Sequence, residues 1–548
     1  MSFANSQTNA QSPSNIIWSK LSAVDLQNFS TTMELALDLI NIPACILHGE
    51  CLCFDSGHLC QIEQYFIDIL RAIEQADAAL PRSCFRALKP FWSKELTILK
   101  RKSFLSHKAW LDQDKPTNGP VYEAYTKCRS DYRTLLRQEK RKKEGCQNDK
   151  LYEALIDKDQ DEFWRTWKSL SQSGDPLATR IDGNTQADDI AERFSNVFSD
   201  IYENNDVTAH AKLKDRFMNE FPAYFSAHKN DNISCFFFTR ADIIDMVDKL
   251  KLRKSYAGFV RTEHILNGSP KLMFHLHILF NSMLQHGYLP TYFLRGSITP
   301  LVKNRDGDVT DSTNYRAITL SPIFMQMYEM LEKSKFGYFL KTDDRQFGFK
   351  PGVSTNHAIY SLKKTADYFT NNGSRVYLGF LDCSKAFDRI SHWGLFIKLM
   401  ERNVPLCFLM SVIYLYCNMS CTVKWKSVHG RVFDITTGTK QGGILSPDFF
   451  SLYINDLISL LTKCGYGSSI IGLVISCLFF ADDIVLISPS RYGLQQMLDI
   501  CFTYCSEFCL DFNVSKSKIM ILGNELSEGV FAPLNIDSPI LDYVDEFK

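Results

Sequence analysis

The sequence predicts a mixed α/β protein with a largely helical N-terminal region, on three observations. Hydrophobic residues make up 45% and charged residues 22% of the chain, the balance of a protein that buries a core rather than of a disordered tail. Residues 61–70 place their apolar side chains on one helical face, and residues 94–143 read as a basic helical arm. From about Phe236 onward, helical runs at 240–250 and 272–287 alternate with short apolar runs bounded by Gly, Pro, Asn and Asp. At 548 residues the chain exceeds one ordinary core, so about two to four units are expected.

Taken in order, residues 1–90 form a small helical unit behind a Ser/Asn/Gln-rich start. Residues 91–235 follow as a basic helical linker, in which Lys100, Arg101, Lys102, Arg129, Arg133 and Arg137 are interleaved with Trp110, Tyr122, Tyr125 and Tyr132. A solvated helix surface and a contact to an RNA or DNA backbone both fit that pattern. Another short amphipathic helix is expected at 161–170, with a turn at Gly174-Asp175-Pro176. His48, Cys51, Cys53, His58 and Cys60 lie close together, but their spacing matches no common zinc pattern and isolated thiols are expected. Cys501, Cys505 and Cys509 recur every four residues, as they would along a packed helix face.

Charge and cysteine usage narrow the class further. A formal net charge of -1 does not announce a nucleic-acid partner, so the local distribution of charge carries that question. The 17 cysteines follow no repeat and no secretory leader precedes them, which predicts reduced thiols in an intracellular protein of the nucleus or cytoplasm. Residues 470–480 are the most apolar run; they are too short to span a bilayer and are followed by two aspartates, so a buried strand and no membrane anchor are expected.

The segment Leu478-Phe479-Phe480-Ala481-Asp482-Asp483-Ile484-Val485-Leu486 reads as a β-hairpin with carboxylates at its tip. Upstream, Tyr377-Leu378-Gly379-Phe380-Leu381-Asp382 is an apolar strand that ends in an acid, with a helix starting near Trp393. If the two strands are neighbours, Asp382 and Asp482 meet on one face and bind a hard divalent cation through oxygen, a site suited to nucleotidyl transfer. Unpaired carboxylates so close would repel. Successive strand residues point to opposite faces, so Asp482 is expected as the direct ligand and Asp483 as a weaker, outer one. Between the two acidic segments, Thr439-Lys440-Gln441-Gly442-Gly443 is a glycine-rich loop ahead of a helix at 449–461, where the chain is able to approach a nucleotide closely.

With these residues in place the chain resembles the reverse transcriptases of non-LTR retrotransposons, over about 236–548 and more loosely from about 80. Residues 381–388 look like the first carboxylate motif of that family, 441–447 like its Gln-Gly loop, and 480–483 like its aromatic-Ala-Asp-Asp box. Residues 298–303, 314–320 and 346–355 resemble its fingers motifs, and 513–518 its Asn-x-x-Lys-Thr segment. The resemblance implies a right-hand polymerase with fingers over 236–370 and a palm with an antiparallel sheet over 371–548. It implies an RNA-directed DNA polymerase that uses an RNA template, a DNA primer and deoxynucleoside triphosphates with Mg2+ or Mn2+. It also implies roles: Asp382, Asp482 and Asp483 for the metal, Lys516 as proton donor, and Lys303 and Arg316 for the triphosphate. Phe387 is implied as the gate against a 2′ hydroxyl, and Gln441 and Gly442 as neighbours of nucleotide and template.

Some positions depart from the family pattern. Ile444 and Ala317 stand where the family has Pro, which puts the stiffness of both segments in doubt, and Gly258-Phe259-Val260 lacks the usual Asp. The chain stops at Lys548, just ahead of the Tyr-Leu-Gly segment that grips the primer in the family, and no endonuclease precedes it. The reading is therefore of a chain truncated at both ends, without a thumb, that binds nucleic acid in a salt-sensitive way and extends a primer poorly or not at all. Two alternatives stay open: an inert remnant that only binds nucleic acid, and a reverse transcriptase of the group II intron maturase type.

Overall fold

A computed structural model gives the fold and describes residues 16, 18, 21–43, 56–82, 93–156, 178–203, 207–252, 254–304, 306–523, 534–536 and 539–546. The helix expected at 161–170, the turn at 174–176, and His48, Cys51 and Cys53 lie outside them. The chain divides into two compact units, one of Met1–Leu21 and Pro81–Thr179, the other of Ser22–Leu80 and Arg180–Lys548.

The first unit is a helical hairpin of Lys94–Leu111 and Pro120–Ile156. Ser93 caps the first helix by accepting from the Leu96 amide at 3.1 Å, and Pro120 opens the second, where its missing N–H costs nothing. The bend between them is held by aromatic packing. Trp110 stacks on Tyr125 with centroids 4.7 Å apart, His107 lies 5.3 Å from the same ring, and Trp110 Nε1 donates to the Pro116 carbonyl at 2.9 Å.

The second unit begins with the helices Ala23–Asp38 and Ser56–Ala78, which pack on Pro270–His286. The helical spacing read at 61–70 buries Ile62, Tyr65, Phe66 and Ile69 in this packing. Two tyrosines there find polar partners: Tyr65 Oη bonds His275 Nδ1 at 2.7 Å, and Tyr288 Oη donates to Glu63 at 2.8 Å.

The strands run in chain order as β1 (Arg295–Val302), β2 (Tyr315–Leu320), β3 (Val376–Asp382), β4 (Ser420–Trp425), β5 (Val428–Asp434) and β6 (Ser468–Ile470). They continue as β7 (Leu473–Ile475), β8 (Cys477–Phe480), β9 (Asp483–Ser488), β10 (Lys518–Leu522) and β11 (Asp542–Tyr543). One sheet has the order β2-β1-β4-β5 and another β11-β10-β3-β9-β8. The second is antiparallel in every pair but β10–β11, so the chain has the mixed helix-and-strand organisation expected of its sequence, with an antiparallel sheet inside 371–548. The helix Arg491–Glu507 packs on β3 and β9 and buries Cys501 and Cys505, while Cys509 lies past the helix end at φ 57.

The apolar run at 470–480 is not one buried strand. It bends at Ile471 and Gly472, both at positive φ, with Ile471 94% exposed, and only β8 enters the large sheet. Gly472 adopts that backbone without a Cβ clash, and hydrophobicity alone did not reveal the turn. Among the described residues, no helix is long and apolar enough to cross a membrane.

Candidate active site

The site grows from the end of β3. Asp382 is its last residue and stands directly opposite Asp483, the first of β9, in antiparallel register. The β8–β9 connection is a two-residue turn, Ala481-Asp482, closed by the pair Phe480 and Asp483. Ala481 sits at φ 57, the left-handed region that a two-residue hairpin demands of its first loop residue. The Cys383 amide reaches the Asp482 carbonyl at 3.4 Å, which ties the turn to the strand that carries Asp382. Asp382, Asp482 and Asp483 are therefore brought to one end of one sheet. Asp482 is half-buried and Asp483 exposed.

The 513–517 turn wraps the same strand end. The Asn513 amide donates to the Asp382 carbonyl at 2.8 Å, the Asp382 amide to buried Ser517 Oγ at 3.2 Å, and Lys516 Nζ lies 3.4 Å from Asp382 Oδ2. Burial pushes the Asp482 carboxyl above its ordinary range; Asp382 adds to the rise, and Lys516 and Arg316 oppose it. Asp483 is raised in the same way, by burial first and then by Asp482 and Asp382. The three acids thus form a mutually repelling group that a cation relieves.

Further positive side chains lie near Lys516 and Arg316. Burial lowers the Lys303 ammonium, and Lys385, Arg316 and Lys516 push it further down while Asp388 opposes. Lys303 follows the end of β1 and donates to the Thr313 carbonyl at 2.9 Å; Arg316 is exposed on β2. Lys385, which the sequence reading passed over, caps the short helix Ala386–Arg389 from the left-handed region at φ 48.

Phe387 follows on that helix. It is half-buried, stacked on Phe450 at 4.8 Å and edge-on to Phe349 at 5.9 Å. The next residue, Asp388, is buried, and its carboxyl is raised to about 6, by burial against the pull of its bond to Gln441 and of Lys385 and Lys303. Gln441 Nε2 donates to Asp388 Oδ1 at 2.7 Å, so the glutamine amide is oriented by a residue that sequence spacing did not single out. The Gln441 carbonyl accepts from the Thr319 amide at 2.9 Å, which docks the glycine-rich loop on β2. Gly442, at φ 118, is required there: a Cβ would lie 2.7 Å from the Thr319 carbonyl oxygen.

Behind the loop, the Ile444 amide donates to Glu329 Oε2 at 3.1 Å. Ile444 stands where proline was expected, and the N–H that proline would lack is what ties the loop down. On the other side of the acids, a groove of 1150 Å³ runs between the helix Thr355–Asn371 and the β3, β8, β9 and β10 face. It opens beside Asp382, Asp483 and Lys516.

A family described as reverse transcriptase (RNA-dependent DNA polymerase) matches residues 302–543. The chain is 27% identical over 222 residues to the Retrovirus-related Pol polyprotein from type-1 retrotransposable element R2 of Nasonia vitripennis, covering 40% of this chain and 21% of that protein. It is 23% identical over 326 residues to the RNA-directed DNA polymerase from mobile element jockey of Drosophila funebris, covering 57% of this chain and 34% of that protein. The chain thus spans a fifth to a third of the length of these relatives. Apo telomerase of Candida tropicalis, truncated from its C-terminal domain, aligns at a TM-score of 0.33 and 11% identity over 61% of this chain and 91% of that chain. Residues 302–543, with the acids and the glycine-rich loop inside them, are a reverse transcriptase domain of the non-LTR retrotransposon kind.

Proposed function

We propose that this site performs RNA-directed DNA synthesis by nucleotidyl transfer, extending a DNA primer on an RNA template with two divalent cations, Mg2+ or Mn2+. The observation that carries the reading is the meeting of Asp382, Asp482 and Asp483 at one sheet end, with Lys516 against Asp382 and Arg316 near enough to act on Asp482.

The donor set fits hard cations, which take carboxylate oxygen, and Mg2+ commonly uses one or two carboxylates with water and substrate phosphates completing its shell. Among the described residues no three His, Cys, Asp or Glu side chains gather closely enough to hold a metal by themselves. Bound cations would activate the primer 3′ hydroxyl and neutralise the leaving pyrophosphate. Asp382 and Asp482 hold them directly, and Asp483 acts from the outer side.

The chain's own groups do the rest. Lys303, Arg316 and Lys385 bind the triphosphate, with the arginine able to take a phosphate in two parallel bonds. Lys516 moves from Asp382 to the leaving group and gives it a proton. Phe387, braced by Phe450, fills the space beside the sugar C2′. Gln441, aimed by Asp388, orients the base pair being formed.

Primer extension by the full chain on an RNA template with Mg2+ or Mn2+, beside Asp482→Ala, tests this. Extension that vanishes in the variant supports the reading. Binding of template without extension in either metal would favour a nucleic-acid-binding role instead, for which the helical hairpin offers exposed Arg129, Arg133 and Arg137, the first of them over the ring of Tyr125.

A further inference from the structure

We infer that Gln346 is a positioning residue for the catalytic turn: its side-chain oxygen sets the backbone at Ala481 and thereby the place of Asp482. The inference deepens the polymerase reading and rests on it for its kinetic consequence. Residues 345–347 lie along the free side of β8. The Phe479 amide donates to the Arg345 carbonyl at 2.9 Å, and the Phe347 amide to the Phe479 carbonyl at 2.8 Å. A parallel bridge joins Gln346 to Phe479.

From that track the Gln346 side chain reaches round the hairpin tip. Its Oε1 accepts from the Ala481 amide at 3.0 Å and from the Gly348 amide at 2.9 Å. The residue is fully buried, so water has no access to replace either bond. Two facts show why the oxygen matters. Ala481 holds φ 57, a backbone that L residues disfavour, so the turn needs an outside restraint. Gly348 packs so closely that a Cβ would lie 2.4 Å from the Ala481 nitrogen, so nothing larger fits between clamp and turn.

The amide end of Gln346 adds little. Its Nε2 is buried with no hydrogen-bond partner among the described residues, so the side chain serves as an acceptor. The base of the clamp is itself anchored. The Asp343 amide donates to Asn455 Oδ1 at 2.8 Å, and Arg345 reaches the Val474 carbonyl at 3.1 Å. Asp482 follows Ala481 directly, so a shift at Ala481 moves a metal-binding carboxylate, and misplacement of reacting groups by about 1 Å costs roughly a hundredfold in rate.

The experiment compares the full chain with Gln346→Met, which keeps length and loses the acceptor, and Gln346→Glu, which keeps an acceptor oxygen whether charged or protonated. Amide exchange is read on peptides covering 346–349 and 479–484, with the helix Pro270–His286 as an internal control of folding. In Gln346→Met, exchange at the tip should rise about tenfold or more while the control helix is unchanged. The turnover of primer extension should fall about tenfold to a hundredfold, with nucleotide KM and template affinity within about twofold. Mn2+ should recover part of the loss, because Mg2+ demands the stricter ligand geometry. Gln346→Glu should keep tip protection near that of the parent chain. Unchanged tip exchange in Gln346→Met overturns the inference, as does a loss expressed in KM alone. If the parent chain does not extend a primer, the polymerase reading fails, and the exchange data alone still decide whether Gln346 holds the turn.

Discussion

Two groups of carboxylates, one at the end of the large sheet and one against the glycine-rich loop, are both raised in pKa by burial. At the sheet end, Asp482 is half-buried and Asp483 exposed, and Lys516 partly offsets both. Behind the loop, Glu329 and Glu332 on the helix Ile323–Phe336 are fully enclosed with Lys440, and Glu332 is raised to about 8. There the partners are fixed: Glu329 accepts from the Ile444 amide at 3.1 Å, and Glu332 from Ser411 Oγ at 2.7 Å. The same desolvation thus gives two outcomes. A partly relieved, accessible cluster costs stability and attracts a cation or substrate, whereas an enclosed and bonded cluster locks a loop in place.

Substitutions separate the two. The largest effect is expected at the open cluster: Asp482→Ala should lower primer extension by about a thousandfold or more, with thermal stability unchanged or slightly raised because a repelling carboxylate is gone. A large fall in Tm in this variant would place Asp482 with the enclosed group. Glu329→Ala should do the opposite. It leaves the Ile444 amide without its acceptor, for a loss of about 1–3 kcal/mol in denaturant unfolding, with primer extension falling far less than in Asp482→Ala.

Phe387→Ala tests the cleft wall between the clusters. Ribonucleotide incorporation relative to deoxynucleotide should rise by about ten- to a hundredfold, with a modest stability loss from the emptied contact on Phe450. Unchanged sugar selection would assign the ring to packing alone.

The smallest effect is a pH slope. Glu332 keeps its proton in the folded chain up to about 8, while the unfolded side chain loses it near about 4.3. The folded state then binds more protons across that window, so this group's stability is full below it and is lost as pH rises toward 8. Glu332→Gln keeps an acceptor for Ser411 and should flatten the fall of Tm between about pH 5 and 8. An unaltered slope would mean that another group titrates there.

The sequence by itself determined the local pieces: an apolar strand ending at Asp382, a hairpin carrying Asp482 and Asp483, a glycine-rich loop ahead of a helix, and an amphipathic stretch at 61–70. These are written within about ten residues of chain, where side-chain periodicity and turn chemistry act. Only the tertiary structure decided which pieces meet. The register that sets Asp382 against Asp483 depends on β3 lying between β9 and β10, and a slip of one residue would send the acids to opposite faces. The bond from Gln441 to Asp388 and that from the Ala481 amide to Gln346 join groups 53 and 135 residues apart, and the contact of Tyr65 with His275 spans 210. No local pattern specifies such partners, because each bond is worth forming only after the sheet order and the packing of the helices have brought its two ends together.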